Sequence, residues 1–239
     1  MGAAMMHTLD ARILLRDGPH DVQSILKLQE AIYTDALSDK RENPCALFVE
    51  HPHVYVCPED KMLDLRTLVR SRKSDGSLNL PAPLIGVKRT SGSITYHGPG
   101  QLVCYLVINL ANEGFHPFMM SGLIDDVIIA ALSRFSIRAQ KKPAGYPTEA
   151  SGVWVLHSDI HGDMYKKIAS RGISINRGVT RFGFALNVNT DLSYFDYIYP
   201  CGLKDMRMTS MEQLSRTRFP VEDVALCLVE ELREAIQKK

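Results

Sequence analysis

A cysteine within the Tyr-Pro-Cys-Gly sequence at residues 199–202 is the first candidate for chemistry. Proline and glycine beside Cys201 indicate a turn, and reactive side chains are often displayed on such loops. Cys104 and Cys227, by contrast, lie in apolar segments that are typical of packing residues. Cys201 is therefore the candidate nucleophile, weighed against the commoner role of a free cysteine as a small buried residue.

A lysine, Lys167, leads an apolar pair on a predicted strand within residues 166–172. A lysine buried at a strand end can act as a source of positive charge, whereas its neighbour Lys166 is more simply a surface residue. An ordinary thiol is only about 3% ionised at neutral pH, and a nearby ammonium group raises that fraction. Because a thioester stays reactive without ATP, a Cys201–Lys167 pair predicts acyl transfer.

The segment at residues 89–102 is unusually rich in Gly, Ser and Thr and contains His97 before a Gly-Pro-Gly turn. Such a loop lets backbone approach a ligand closely while the imidazole points inward, although a tight hairpin has the same composition. Neither the Gly-x-x-x-x-Gly-Lys nor the Gly-x-Gly-x-x-Gly spacing occurs, so ATP or dinucleotide binding has no direct support. We interpret the segment as a binding loop.

The elements that must position these residues alternate between strand and helix patterns. The apolar spacing predicts helices from Pro19 through Leu37, after Ser121 through Phe135, and from Pro220 toward the end. Strands are predicted at 11–16, 46–49, 54–56, 84–88, 102–110, 152–155, 165–169, 173–177 and 182–188, with a helix near 61–70. Strands in hairpin-like succession favour an α/β (α+β) domain spanning residues 1–239, with a mixed, largely antiparallel central sheet and flanking helices.

Composition excludes several classes of function. Twenty-eight Lys and Arg residues against twenty-seven Asp and Glu give a net charge of +1, which does not favour nucleic acid as a partner. No apolar stretch is long enough to span a membrane, so we expect a soluble protein. Five scattered cysteines without a Cys-x-x-Cys pair favour free thiols in a reducing compartment. His157, Asp159 and His161 alternate, but a polar turn is as natural there as a metal site, and we expect no metal or cofactor.

Four motifs together resemble the octanoyltransferases, also called lipoyl(octanoyl) transferases, of protein lipoylation. These are Thr-Tyr-His-Gly-Pro-Gly-Gln at 95–101, Lys-Ile-Ala at 167–169, Gly-Phe-Ala-Leu-Asn-Val at 183–188 and Pro-Cys-Gly at 200–202. They occur in the order and spacing of that family, and the similarity extends from about Leu47 to about Leu214. The resemblance implies the fold shared by lipoate and biotin protein ligases.

The resemblance also implies a role for each matching residue. Cys201 would take the acyl group from octanoyl acyl carrier protein, and Lys167 would make its thiol reactive. Amides near Gly183 and Ala185 would stabilise the oxyanion, and His51 would lie nearby. The implied substrate-binding residues are Gly92, Ser93, Ile94, Thr95, Tyr96, His97, Ser170, Arg171, Gly172, Gly183, Phe184 and Ala185.

The implied acceptors are lipoyl domains of 2-oxoacid dehydrogenases and the glycine-cleavage carrier protein. The compartment would be the mitochondrion in a eukaryote and the cytoplasm in a bacterium. An acidic carrier protein needs a basic landing patch, for which Arg138, Lys141 and Lys142 are candidates. Two rival hypotheses are an ATP-dependent lipoate or octanoate ligase and a non-catalytic acyl-binding protein.

Three positions depart from the family pattern. The loop of the family usually opens with Arg-Gly-Gly, whereas this chain has Thr90-Ser91-Gly92, with Arg89 displaced by one position. Phe182 replaces a usual histidine, and residues 57–59 replace a Gly-Arg stretch. These changes predict an altered acyl-length preference or efficiency, although the cysteine and lysine are retained.

Overall fold

The computed structural model describes residues 8–38, 40–88, 92–160 and 162–238, with a large sheet at their centre. Within those ranges, seven strands form one sheet in the order β1-β2-β6-β10-β9-β8-β7. Within this seven-stranded sheet, only the β1–β2 pair is parallel. The strands are β1 (Asp10–Ile13), β2 (Cys45–Val49), β6 (Gln101–Val107), β7 (Gln140–Lys141), β8 (Gly152–Asp159), β9 (Gly162–Asn176) and β10 (Val179–Asn187).

A smaller sheet lies beside the large one and carries part of the Gly-rich segment. It consists of β3 (Val54–Pro58), β4 (Leu84–Val87) and β5 (Thr95–His97), with β3 in the middle. Strand β5 ends at His97, and the Gly-Pro-Gly turn then leads directly into β6 of the large sheet. The predicted mixed, largely antiparallel architecture is confirmed.

Helices cover both faces of the large sheet. Helix α1 (Val22–Leu37) begins after Asp21, whose carboxylate accepts the Ser24 backbone N–H, and buries an apolar stripe against β2 and β6. Helices α2 (Pro117–Arg134) and α4 (Val221–Gln237) pack together on the other face, and α3 (Met211–Ser215) is a single short turn. None of the described helices is long and apolar enough to cross a membrane.

Two predicted helix assignments need correction. Helix α2 begins at Pro117, one turn before Ser121, because the His116 side chain caps the Phe118 N–H and proline occupies the first helical position. The predicted helix near 61–70 is a 3-10 segment, Glu59–Thr67, interrupted at Asp64, whose φ of −126° is not helical. Its mixed, largely polar sequence lacks the apolar stripe that would anchor a regular helix.

The long antiparallel run from β8 through β10 forms the platform for the candidate site. Strand β8 carries a bulge between Val153 and Trp154, where it pairs with Lys167 of β9. Gly152 opens this region with a φ of +135°, and a Cβ there would meet the Ala169 carbonyl oxygen at 2.1 Å. Glycine is therefore required for the two strands to approach closely beside Lys167.

Candidate active site

Cys201 is the middle residue of a short turn, as its Pro and Gly neighbours predicted. Residues Pro200–Gly202 form a 3-10 turn in which Cys201 has a φ of +58° and a ψ of 14°. Its side chain is partly exposed, unlike those of the other cysteines. A non-glycine residue held in the left-handed region marks a conformation fixed by its surroundings.

The Lys167 side chain contacts this cysteine directly. Its Nζ donates to Cys201 Sγ at 3.2 Å, and the side chain is fully buried. The centroid of the Trp154 ring lies 5.9 Å from the ammonium group. Lys167 is fixed through its backbone as well, because its N–H donates to Arg207 O at 2.8 Å. The charge therefore sits at a fixed position beside the thiol.

Burial makes three of the other cysteines poor nucleophiles. It raises the pKa of Cys45 to about 11 and raises the pKa of Cys104 and Cys227 as well. A thiol in apolar surroundings remains protonated and inert at neutral pH. Among the five cysteines, Cys201 is the one that is partly exposed, and the Lys167 side chain contacts its sulfur.

A cavity of about 240 Å³ opens beside Cys201 and Lys167. Its wall is built from β5, β6, β9 and β10, with apolar side chains of α1, β3 and β4 completing it. From the predicted set, the wall includes Gly92, Ser93, Ile94, Thr95, His97, Ser170, Arg171, Gly172, Gly183, Phe184 and Ala185.

Tyr96 is the predicted binding residue that does not line this cavity. Alternation along β5 sends Thr95 and His97 to the cavity and Tyr96 to the opposite face. There its ring stacks on Tyr194 at 4.7 Å, and its hydroxyl lies 2.8 Å from His53 Nδ1. Tyr96 therefore packs on the face of the small sheet that is turned away from the cavity.

The predicted oxyanion role for amides near Gly183 and Ala185 needs correction. These residues lie in the interior of β10, which pairs with both β6 and β9 at these positions. The backbone amides are therefore used by the two ladders. Gly183 serves packing instead, since a Cβ there would meet the Cys104 carbonyl oxygen at 2.1 Å.

His51 lies beside the site without entering the cavity wall. Its ring centroid is 5.6 Å from that of His97, and it is fully buried. Nδ1 lies 2.6 Å from His20 O, and Nε2 lies 2.9 Å from the Tyr105 hydroxyl. Because burial lowers the pKa of His51, the ring is neutral, with Nδ1–H donating to the carbonyl.

Arg171 brings a buried ion pair to the cavity wall. Its Nε donates to Asp125 Oδ1 at 2.9 Å, and Nη1 donates to Ser121 Oγ at 2.7 Å. Ser121, after which the helix was predicted to begin, is thus a contact of Arg171. The pair ties helix α2 to the middle of β9.

Phe182 was singled out in the sequence only as a departure from the family pattern, yet it lines this cavity and a second one. The second cavity, of about 290 Å³, shares Leu26, Val87 and Phe182 with the first and is otherwise rich in charged side chains. Phe182 has a φ of +61° in the middle of β10, which is unusual for a bulky residue. It pairs with Ile173, six positions along β9 from Lys167.

Two further predictions concern charged and metal-binding groups. Lys141 pairs with Asp126 at 2.7 Å, and Lys142 donates to Tyr146 O, so two members of the predicted basic patch are engaged within the chain. Across the part of the chain that the structure describes, no three His, Cys, Asp or Glu side chains are grouped as a metal ion would require. His161 lies outside the described residues.

Sequence comparison identifies known proteins to which this chain is related. Residues 21–233 match the lipoyl protein ligase A/B catalytic domain. The chain belongs to this family. It is 37% identical over 194 residues to an octanoyltransferase of Christiangramia forsetii, covering 80% of this chain and 76% of that protein. It is 36% identical over 201 residues to an octanoyltransferase of Bacteroides thetaiotaomicron, covering 81% and 79%. The predicted recognition as an octanoyltransferase-type acyltransferase is confirmed.

Solved structures of other proteins share the fold. A putative lipoate protein ligase from T. acidophilum with bound lipoic acid superposes with a TM-score of 0.63 at 16% identity, covering 98% of this chain and 87% of that one. Lipoate-protein ligase A bound with ATP gives a TM-score of 0.63, also at 16% identity, with coverages of 98% and 86%. The predicted lipoate-ligase-like fold is confirmed.

Only part of the departures from the family pattern falls within the described residues. Thr90 and Ser91 lie outside the described residues. Phe182 occupies the boundary between the two cavities. Cys57 lies in β3, fully buried against the small sheet.

Proposed function

We propose that this protein moves an octanoyl group from acyl carrier protein to a lysine of lipoyl domains through a thioester on Cys201. The observation that carries the proposal is the 3.2 Å contact between Lys167 Nζ and Cys201 Sγ at the mouth of an acyl-sized cavity. The octanoyltransferase relatives support the same acyl group. The proposed acceptors are the lipoyl domains of 2-oxoacid dehydrogenases and the carrier protein of glycine cleavage.

The first half-reaction uses the cysteine and lysine as a unit. The Cys201 thiolate bonds to the carbonyl carbon of the carrier thioester, and the carrier C–S bond breaks. The leaving thiolate then takes a proton from Lys167 Nζ, which lies within contact distance of the reacting sulfur. In the second half-reaction the acceptor amine bonds to the carbonyl carbon, Cys201 leaves as the thiolate, and the amine proton restores the lysine ammonium.

The cavity wall suits an apolar acyl tail. Side chains of Val22, Leu26, Val56 and Val87 line it. Burying about six methylenes at roughly 0.8 kcal/mol each contributes about 5 kcal/mol. That binding energy is large enough to favour a medium-chain acyl group over acetyl.

The test is incubation with octanoyl acyl carrier protein without ATP, followed by intact-mass measurement. We expect a gain of one octanoyl group by the wild-type chain and by Cys227→Ala, a buried cysteine that serves as the matched control. Cys201→Ala should gain none. Acylation of Cys201→Ala at the wild-type rate would refute the assignment of the nucleophile.

The same assay separates the proposal from the ATP-dependent ligase. A ligase forms an acyl-adenylate from free octanoate, releases AMP, and needs no cysteine. Acylation of a lipoyl domain by Cys201→Ala that depended on ATP would favour the ligase and contradict transfer through the thiol.

A further inference from the structure

A chain of buried side-chain amides links the binding loop to the strand that carries Lys167. Gln101, at the start of β6, and Asn187, at the end of β10, are 2% and 1% exposed. His97 Nδ1 lies 2.6 Å from Gln101 Oε1. Gln101 Nε2 donates to Asn187 Oδ1 at 2.9 Å, and Asn187 Nδ2 donates to Thr209 O at 2.9 Å. Thr209 N–H in turn donates to Lys167 O at 2.9 Å.

Two backbone carbonyls fix the direction of every hydrogen bond in this chain. Thr209 O only accepts, so the Asn187 group facing it is the NH₂ and the opposite group is the oxygen. Tyr96 O also only accepts, and Gln101 Nε2 donates to it at 3.3 Å. Gln101 therefore presents its oxygen to His97. Nδ1 of His97 must carry a proton, and in the neutral ring Nε2 is the acceptor.

We propose that Gln101 and Asn187 are positioning residues that hold His97 in the Nδ1–H form, so that Nε2 accepts a proton from the incoming lysine amine. This inference rests on the proposed octanoyl transfer. His97 lines the cavity, and an acceptor nitrogen there suits an amine N–H and not a carbonyl oxyanion. As the amine nitrogen bonds to the thioester carbon and the C–S bond to Cys201 breaks, the amine proton moves to Nε2. It then passes through solvent to Lys167.

The amide chain suits this task because it serves both charge states of the ring. Gln101 Oε1 accepts from Nδ1–H whether His97 is neutral or protonated, and the bond strengthens when the ring is charged. No partner must reorganise during the proton transfer. The far end of the chain also holds the backbone of Lys167, so one network positions both ends of the site.

Wild-type protein without substrate supplies the first test. We expect two-bond ¹H–¹⁵N correlation spectra to show His97 protonated at Nδ1, with the signal assigned by its loss in His97→Gln. A neutral His97 protonated at Nε2 would overturn the amide chain, even if Cys201 were acylated normally. This spectrum does not depend on the proposed reaction, so the two proposals fail separately.

The second test separates the half-reactions in Gln101→Leu and Gln101→Met. Acylation of Cys201 by octanoyl acyl carrier protein should stay within about threefold of wild type, while transfer from octanoyl-Cys201 to the lipoyl-domain lysine falls about a hundredfold. Equal losses in both steps would overturn the role of His97 toward the amine and indicate a structural role for Gln101.

Asn189→Asp is the matched control. Asn189 Nδ2 donates to Phe219 O at 2.6 Å, so the variant loses a comparable backbone-bonded amide that contacts neither His97 nor Lys167. Both half-reactions should remain at the wild-type rate. A selective loss of lysine transfer in Asn189→Asp would contradict the proposal, because it would show that any lost amide at this strand end has the same effect.

Discussion

Replacing Lys167 with methionine should have opposite effects on reactivity and stability. The lysine side chain is fully buried, and among the described residues no carboxylate lies within salt-bridge distance of Nζ. Among those residues, the Cys201 sulfur is the side-chain acceptor that Nζ contacts. An unpaired thiol is about 3% ionised at neutral pH, so losing the ammonium should slow thiol chemistry by about tenfold or more.

Stability should change in the other direction. Lys167→Met keeps the length and apolar stem of the side chain against Trp154, and a thiol in apolar surroundings is uncharged. Neither charge is left buried alone, which is what makes removal of one partner costly in most buried pairs. We expect the free energy of unfolding to rise by about 1–2 kcal/mol, because the desolvation penalty of the ammonium is removed.

The assays are iodoacetamide labelling of Cys201, read by mass spectrometry, and urea denaturation followed by the fluorescence of Trp154, the chain's single tryptophan. Lys166→Met is the matched control, since the neighbouring residue of β9 points to the opposite face. It should change neither measurement. Labelling of Lys167→Met at the wild-type rate would refute the argument that this lysine activates the thiol.

Three further predictions concern the cavity and its supports. Phe182→Ala should join the two cavities. The value of kcat/KM for dodecanoyl relative to that for octanoyl should then rise by about tenfold if two more methylenes are buried. An unchanged ratio would exclude Phe182 as a determinant of acyl-chain length. Burial lowers the pKa of His51, so the unfolded state binds more protons between that lowered pKa and about 6.5. Urea midpoints should therefore fall as pH decreases through this window, and His51→Gln should lose that part of the slope. Gly183→Ala should cost about 2 kcal/mol or more of unfolding free energy, because its Cβ would meet the Cys104 carbonyl oxygen at 2.1 Å, and an unchanged urea midpoint would contradict this.

The sequence was most informative where several motifs occur together in the order and spacing of one family. Lys167 and Cys201 are 34 positions apart, and neither residue type alone distinguishes a site from a surface or core position. Their contact became predictable because the Pro-Cys-Gly turn and the Lys-Ile-Ala strand occur together with the Gly-rich loop. The strand pattern likewise predicted the mixed sheet, since each apolar run was short and bounded by turn residues.

The direction of individual side chains was harder to predict. The resemblance supplied a continuous segment from Gly92 to His97, but a strand alternates its side chains, and so Tyr96 faces away from the cavity. The amides near Gly183 were expected to stabilise an oxyanion, and they are instead used within the interior of the sheet. Strand order decides that outcome, and no local pattern around Gly183 encodes which strands flank it.

The hydrogen-bonded chain of amides through Gln101 and Asn187 could also not be predicted from the sequence. Each residue occurs at the end of an apolar strand, where a polar residue usually marks exposure. Only the pairing of β6 with β10, which places Gln101 opposite Asn187, shows that the two amides meet inside the protein. A buried amide with every hydrogen bond used then becomes a signal of a site, because an unsatisfied one would be costly.

Backbone strain gives an independent indication of where the site lies. Among the described residues, five that are not glycine have a positive φ: Ser136, Arg177, Phe182, Cys201 and Arg216. Three of them have ordinary structural reasons, because Ser136 follows the end of a helix, Arg177 forms the β9–β10 turn with a glycine, and Arg216 caps a helix. Cys201 forms the Pro200–Gly202 turn, whereas Phe182 lies within a paired strand, and both residues line the same cavity. Since such strain persists only where the surroundings impose it, the backbone geometry at these two residues agrees with the proposed nucleophile and with the proposed boundary of the acyl pocket.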